Sequence, residues 1–243
     1  MPARNIYTFD GWDMETYGLV NEVVRTSSVD VSTIDAPSMD GTRYAGSRLK
    51  PATVALNIWA TDLHAADRPG IVRDIMAHLA VDEPKMLRIA ETAPNTLLAI
   101  PSGDIQAVLY PSAVMVPVSF LVVDPVAYGS SGSATIPSGS SVSFTVNGTY
   151  PTRPKITATS AKRGTGNVWK IALDGGDFVA VTLPTSASTA VEIDCATRAV
   201  KVGGAASMIS LDSDWLELEP GQHTLSMAIG TGGASVTWAE RWL

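Results

Sequence analysis

Four carboxylates, Asp212, Asp214, Glu217 and Glu219, crowd around Trp215. Two carboxyl groups flanking a sugar are what glycoside hydrolysis requires, one as acid and one as base or nucleophile, and an indole could stack on the ring. The spacing supports a plainer reading. Glu217 and Glu219 alternate with Leu216 and Leu218, as on a strand over about 215–218 with a wet face and a dry one. The histidines, His64, His78 and His223, lie far apart and show no i, i+4 pairing that would hold a metal. Serines and aspartates are plentiful, yet no G-x-S-x-G elbow precedes a helix. Gly203-Gly204 follows a strand but leads into neither a helix nor a GK[ST] motif, so it reads as a turn and not a phosphate cradle. Asn147-Gly148-Thr149 matches a glycosylation sequon without a secretion signal to give it meaning. The expectation is no catalytic, no cofactor-binding and no metal-binding residues, hence no enzyme and no cofactor.

The elements that must position these side chains are mostly strands. Val54, Leu56 and Ile58 alternate with Thr53, Ala55 and Asn57. Strand signals recur at 85–90, 95–100 and 105–110. Val114, Val116, Val118, Phe120 and Val122 then alternate over nine positions. Pro117 inside that run suggests an edge or a bulge. One helix is expected over about 67–81. Asp67 can cap it, Pro69 lies in its first turn, and Ile71, Val72, Ile75, Met76 and Leu79 form one stripe. Glu83-Pro84 bars its continuation. Residues 1–45 are polar with weak periodicity; Gly11-Trp12-Asp13 and Met39-Asp40-Gly41 read as turns, and Asp124-Pro125 as the close of the first half.

Gly129 to Ser141 carries Gly-Ser-Ser-Gly-Ser and Pro-Ser-Gly-Ser-Ser, the composition of a flexible connection. It divides the chain near residue 130 into domains 1–130 and 131–243. Beyond it, short strands are expected at about 141–147, 155–159, 168–173, 178–183, 190–194, 198–202, 215–218, 223–229 and 234–239. Asn147-Gly148 is the strongest hairpin signal. Many short strands at this spacing imply a sandwich or jelly roll.

Composition narrows the function classes. Hydrophobic residues make up 45% of 243 and charged residues 17%, below the ~25% of ordinary soluble domains. Large subunit interfaces would explain this; so would a β-rich fold with a Ser/Thr surface. No stretch reaches the ~18 apolar residues of a spanning helix, and the first residues lack a signal peptide's pattern. A net charge of −7 argues against nucleic-acid binding. The acid sits mainly in residues 1–130, with 9 Lys/Arg against 15 Asp/Glu. Cys195 stands alone, so there is no internal disulfide, which fits a reducing cytosol. Of the six tryptophans, Trp169 and Trp238 fall in strand patterns as core or its margin. Trp12, Trp59, Trp215 and Trp242 could be exposed anchors.

Several segments together resemble the distal tail protein family of siphophages, the bacteriophages with long non-contractile tails. The run from Asn147 to Thr157 (N-G-T-Y-P-T-R-P-K-I-T) is similar to the family's N-x-G-[TS]-x-x-x-x-P-x-I entry into its C-terminal domain, with the Asn–Gly spacing contracted. Ile193-Asp194, Val200 and Gly204 resemble its I-D-x(4–6)-V-x-x-x-G hairpin. Trp215 to His223 (W-L-E-L-E-P-G-Q-H) is similar to its F-x-x-L-x-P-G-x-N turn, with Trp215 for Phe and His223 for Asn. Val236-Thr237-Trp238 and Arg241-Trp242-Leu243 resemble its final strand, and Phe9-Asp10-Gly11-Trp12 with Tyr17-Gly18-Leu19 resembles the opening of actinobacteriophage members.

The resemblance implies a mainly β fold, with an N-terminal β-sandwich carrying one α-helix and a C-terminal galectin-like β-sandwich. It implies a structural virion protein whose N-terminal halves assemble as a homo-hexameric ring at the tail tip. That ring would join the tail tube protein to the tail hub or tail-associated lysin protein, nucleate tail assembly, and be put together in the bacterial host cytoplasm. The alternative is a carbohydrate-binding β-sandwich module recognising host cell-wall glycans, because galectin-like sandwiches bind sugars and tryptophans here lie near carboxylates.

Overall fold

The computed structural model describes residues 6–26, 28–35, 40–185 and 187–243, except for the side chain of Val23. The expected turn at Met39 lies outside the described residues; Asp40-Gly41 bends with Gly41 at φ +83°. The chain divides into two compact units, Met1–Ala127 and Tyr128–Leu243.

Unit 1 contains β1 (Thr8–Phe9), β2 (Trp12–Asp13), β3 (Gly18–Thr26), β4 (Val29–Asp35), β5 (Thr42–Leu49), β6 (Ala52–Ala60), α1 (Arg68–Leu79), β7 (Lys85–Arg88), β8 (Thr96–Ser102), β9 (Val108–Leu109) and the first part of β10 (Val114–Ile136). Its main sheet runs β2-β1-β7-β8-β10-β6-β3, with β9 also on β10. Three strand spacings separate β1 from β10, about 14 Å in a flat sheet. Yet the rings of Phe9 and Phe120 lie 5.0 Å apart. The sheet therefore curls over itself and closes a core between its layers. The alternation read from the sequence is what buries Val54, Leu56 and Ile58 on β6 against Val116, Val118 and Phe120 on β10.

α1 adds Ile75 and Leu79 to the buried set. Asp67 stands at the N-cap position, but its side chain makes no capping hydrogen bond because its own φ/ψ are helical. The helix stops at Leu79, before Glu83-Pro84. His78 stacks on Trp12 with centroids 4.6 Å apart, and the Tyr17 hydroxyl donates to Asp74. These two contacts hold the helix to the N-terminal strands.

Several expectations are corrected here. Pro117 lies opposite Asn57 in an unbroken register with β6, so it marks no bulge there, and its strand also pairs with β8 and is not an edge strand. Alternate residues of an antiparallel strand address alternate neighbours, so one proline removes a single bond from one ladder. Asp124-Pro125 does not end its strand, and Gly129 to Ile136 is strand rather than linker. The glycine there serves close approach: a Cβ on Gly132 would collide with the indole of Trp238. The 105–110 run is strand only at Val108–Leu109, where both residues are exposed.

Unit 2 holds the rest of β10, β11 (Ser141–Val146), β12 (Lys155–Ala161), β13 (Val168–Leu173), β14 (Phe178–Thr182), β15 (Thr189–Asp194), β16 (Ala199–Val202), β17 (Ala205–Ser207), β18 (Gly221–Ile229) and β19 (Ala234–Trp242). A sheet ordered β17-β16-β15-β12-β19-β10 packs on a sheet ordered β11-β18-β13-β14. Between them lie Trp169, Ile171, Val181, Ile193, Leu225 and Val236, all fully buried. Asp174-Gly175, at φ +50° and +75°, turns β13 into β14 as the primed turns of hairpins require.

Asn147-Gly148 is not a hairpin turn. β11 pairs with β18 in one sheet and β12 with β15 and β19 in the other, so the chain crosses between layers there. Gly148, at φ +126°, lies against the Arg241 carbonyl where a Cβ would collide. Segment 215–218 is not a strand either; Leu218 forms one isolated bridge with Thr152.

Candidate interaction surface

The segment that sequence periodicity passed over is the most unusual part of the molecule. β4 and β5 form a two-stranded sheet with no third strand among the described residues. The register runs from Val29 opposite Leu49 to Asp35 opposite Thr42, with an irregularity between Ser32 and Thr33. The side chains of Val29, Val31, Ile34 and Tyr44 are each more than half exposed. Side chains alternate along a strand, so Val29 and Val31 share one face and Ile34 takes the other. Each face therefore offers apolar surface to solvent. On the Ile34 face, Asp30 accepts from Arg48 at 3.0 Å and meets Lys50 at 3.2 Å. Those hydrogen bonds hold the Asp30 carboxyl below its ordinary range. A lone two-stranded hairpin is only marginally stable in water.

Three further features of unit 1 also expose apolar groups. Among the described residues β3 pairs only with β6, which leaves a nine-residue edge carrying exposed Leu19 and Val24; long edges of this kind invite pairing with another chain. Val108, Leu109 and Tyr110 are exposed around the short β9. Beside them lies an open depression of about 400 Å³, lined by Pro69 and Val72 of α1, Ala107 and Leu109, with Arg68 and Arg73 at its rim.

The carboxylates singled out as candidate chemistry lie at the surface of unit 2. Asp212, Asp214, Glu217 and Glu219 are all exposed, while Leu216 and Leu218 are buried. The alternation is correct although the strand is absent. Glu217 lies 3.7 Å from Arg153. Trp215 is half-buried against the core of unit 2. Trp12, Trp59 and Trp242, expected as possible exposed anchors, are also half-buried, whereas Trp169 and Trp238 lie inside. No cluster of three metal-ligating side chains occurs among the described residues. Burial pushes the Cys195 thiol up to about 11, which leaves it protonated and unreactive. No helix among the described residues is long and apolar enough to cross a membrane.

The exposed apolar hairpin is the feature that the sequence periodicity does not reveal. Its one signal was the apolar content of residues 19–34, in a segment that reads as polar and aperiodic.

Residues 147–242 match the siphovirus-type tail component family, over its C-terminal domain. Among solved structures, the chain is similar to the Dit protein of phage SPP1, described as a paradigm of the hub adsorption apparatus in phages that infect Gram-positive bacteria. The TM-score is 0.77 at 16% identity, over 98% of this chain and 99% of that one. It is also similar to a chain of the phage p2 baseplate in its activated conformation, seen with strontium and with calcium, at TM-scores of 0.52 and 0.51. Identity is 9% in both, over 94% of this chain and 92% of those. No curated protein sequence matches. Residues 147–242 are thus similar to the C-terminal domain of the siphovirus-type tail component family, and along nearly its whole length the chain has the fold of the SPP1 Dit protein.

Proposed function

We propose that this chain is the distal tail protein of a siphophage. Six copies close a ring at the tail tip through their N-terminal units. The ring joins the tail tube protein on one side to the tail hub or tail-associated lysin protein on the other, and it nucleates tail assembly in the cytoplasm of the bacterial host. Its role is structural and not catalytic.

The observation that carries this reading is where the uncovered apolar surface lies. Among the described residues, thirteen exposed large apolar side chains fall in Met1–Ala127 and three in Tyr128–Leu243. Where such side chains gather into one patch they mark an association site, and the hairpin gathers Val29, Val31, Ile34 and Tyr44 on two paired strands. The hairpin and the depression beside α1 are different surfaces, and a contact between unlike surfaces of identical subunits repeats head to tail, closing a ring where the rotation between copies divides a full turn. The SPP1 protein of the same fold is a hub component, and the p2 chains belong to a baseplate, which supports the tail-tip setting.

The test is the mass of the purified protein by light scattering, followed by negative-stain images. The expected particle is near six times 25.5 kDa with a central hole, either alone or once the tail tube protein is added. A chain that stays monomeric and does not bind the tube protein would overturn the proposal.

A further inference from the structure

His223 in β18 is enclosed by acceptors. Its Nδ1 lies 2.7 Å from Asp174 Oδ2, and its Nε2 lies 2.7 Å from the Glu219 carbonyl oxygen. Its side chain is only 11% exposed. Neither partner can donate: one is an ionised carboxylate, the other a main-chain carbonyl. A neutral imidazole carries one N–H, so whichever ring nitrogen lacks the proton would point its lone pair at an oxygen lone pair. Only the imidazolium satisfies both contacts.

The groups around the ring all favour that form. Asp174, from the turn after β13, and Glu219, from the turn before β18, are acidic. From β11 the residue opposite is Phe144, uncharged, with its ring 6.1 Å away. The same carboxylate has a second task. Asp174 Oδ1 accepts the Thr224 N–H at 2.7 Å, and the Asp174 N–H donates to the Thr224 carbonyl at 2.8 Å. One charged group thus ties the β13–β14 turn to the start of β18 through both main chain and side chain. Asp174 holds a left-handed φ of +50° to do so.

We infer that His223 is a proton-operated latch: as the imidazolium it fastens the Asp174 turn to the Glu219 carbonyl, and on losing its proton it releases that end of the four-stranded sheet. Burial lowers the proton affinity of His223, but its hydrogen bonds to Asp174 and to the Glu219 carbonyl outweigh this and raise it above the ordinary histidine range. Burial likewise raises that of Asp174, and the His223 and Thr224 hydrogen bonds bring it below the usual carboxylate value. The latch is therefore closed from mildly acidic pH up to the raised histidine value, and it opens above that.

The latch is tested on the full chain in whatever oligomeric state it adopts. Exchange of the histidine C2 hydrogen, read by mass spectrometry, gives the midpoint of His223. Amide exchange of peptides covering Asp174 and Thr224 gives the opening. The expected midpoint lies above ~6.5. Beyond the intrinsic pH dependence, the two amides should lose about tenfold protection across it, the size of a lost charged hydrogen bond. Asp174→Asn should bring the midpoint back toward the ordinary value. His223→Gln, with its fold checked by circular dichroism, should remove the pH step. A midpoint at or below ~6.5, or protection of Asp174 and Thr224 that does not change across the titration, would overturn the latch. Either outcome is independent of whether the protein forms a ring.

Discussion

The two units treat their sheet edges in opposite ways. In unit 2, β14 ends its sheet, but the 208–215 segment runs along it. The Ser210 N–H donates to the Ala180 carbonyl at 2.8 Å, the Asp214 N–H donates to that of Phe178 at 2.9 Å, and Ser213 Oγ accepts the Ala180 N–H at 3.0 Å. A loop and a serine hydroxyl thus stand in for a missing strand, which is how stable domains blunt their edges. In unit 1, β3 keeps a long edge beside exposed Leu19 and Val24, and the β4–β5 hairpin exposes apolar groups on both faces. At β14, unit 2 is finished by its own chain. Under the proposed function, unit 1 is completed by neighbouring copies.

The largest way to test that contrast is to damage the finished unit. Trp169 is fully buried between the sheets of unit 2. Trp169→Ala should cost about 3–5 kcal/mol of that unit's stability, the transfer of the indole plus the cavity it leaves. Denaturant unfolding followed by circular dichroism would measure the loss. Self-association through unit 1 should survive wherever unit 1 remains folded; if it vanished in mild denaturant together with the unfolding of unit 2, the division of labour would be wrong. Gly132→Ala should have the next largest effect, about 1–3 kcal/mol, because the new methyl meets the Trp238 ring in a packed interior. A thermal midpoint equal to that of the parent protein would mean that the β10–β19 packing yields more easily than the geometry indicates.

The same contrast explains which parts of the fold were legible. Burial on one face writes itself into a sequence as period-two alternation, so β6, the first part of β10, and β13 to β16 could be read from Val, Ile and Leu spacing. Leu216 and Leu218 alternated correctly although no strand formed there: burial, and not hydrogen bonding, is what the pattern records. Glycine-rich composition misled at Gly129–Ser133, where one glycine makes room for an indole, and at Asn147-Gly148, where another admits a carbonyl. The hairpin was invisible for a related reason. With both faces exposed, Val29, Val31 and Ile34 obey no alternation, since no core in their own chain selects one. The candidate surface therefore lies where the chain's own burial leaves no imprint, and the carboxylates around Trp215 form the solvated face of a loop.

A smaller effect sharpens the picture of unit 2 from the acid side. Asp194 Oδ1 accepts the N–H groups of Ala196 at 2.9 Å and Thr197 at 3.0 Å, closing the turn between β15 and β16. Burial raises the Asp194 carboxyl, but these hydrogen bonds outweigh it and leave the group below its ordinary range. A carboxyl lowered in the folded state adds stability above its unfolded value near 3.9 and loses it as the pH falls through the lowered folded value. Asp194→Ala should therefore cost about 0.5–1.5 kcal/mol at neutral pH and narrow its gap to the parent as the pH drops below ~4. Urea midpoints at pH 7 and pH 3 would measure this; a gap that stays constant would assign the cost to side-chain packing.

The smallest effect on folding should carry the largest effect on assembly. Val31 and Ile34 are each more than half exposed and lie on opposite faces of the hairpin. Replacing both with Asp removes little packing within the chain, so the stability of the monomer should change by about 0.5 kcal/mol or less. Covered by a second copy, the same two positions would place unpaired carboxylates in an apolar contact, where burying a charge is severely unfavourable. The double variant should therefore keep the circular dichroism spectrum and unfolding midpoint of the parent while light scattering reports a monomer. Higher salt should not restore the ring, because screening weakens exposed charges far more than buried ones. A variant that still assembles would move the association surface away from the hairpin, toward the β3 edge and the depression beside α1. A variant that unfolds would show that unit 1 stabilises its hairpin internally, and the contrast between a finished and an unfinished unit would fail.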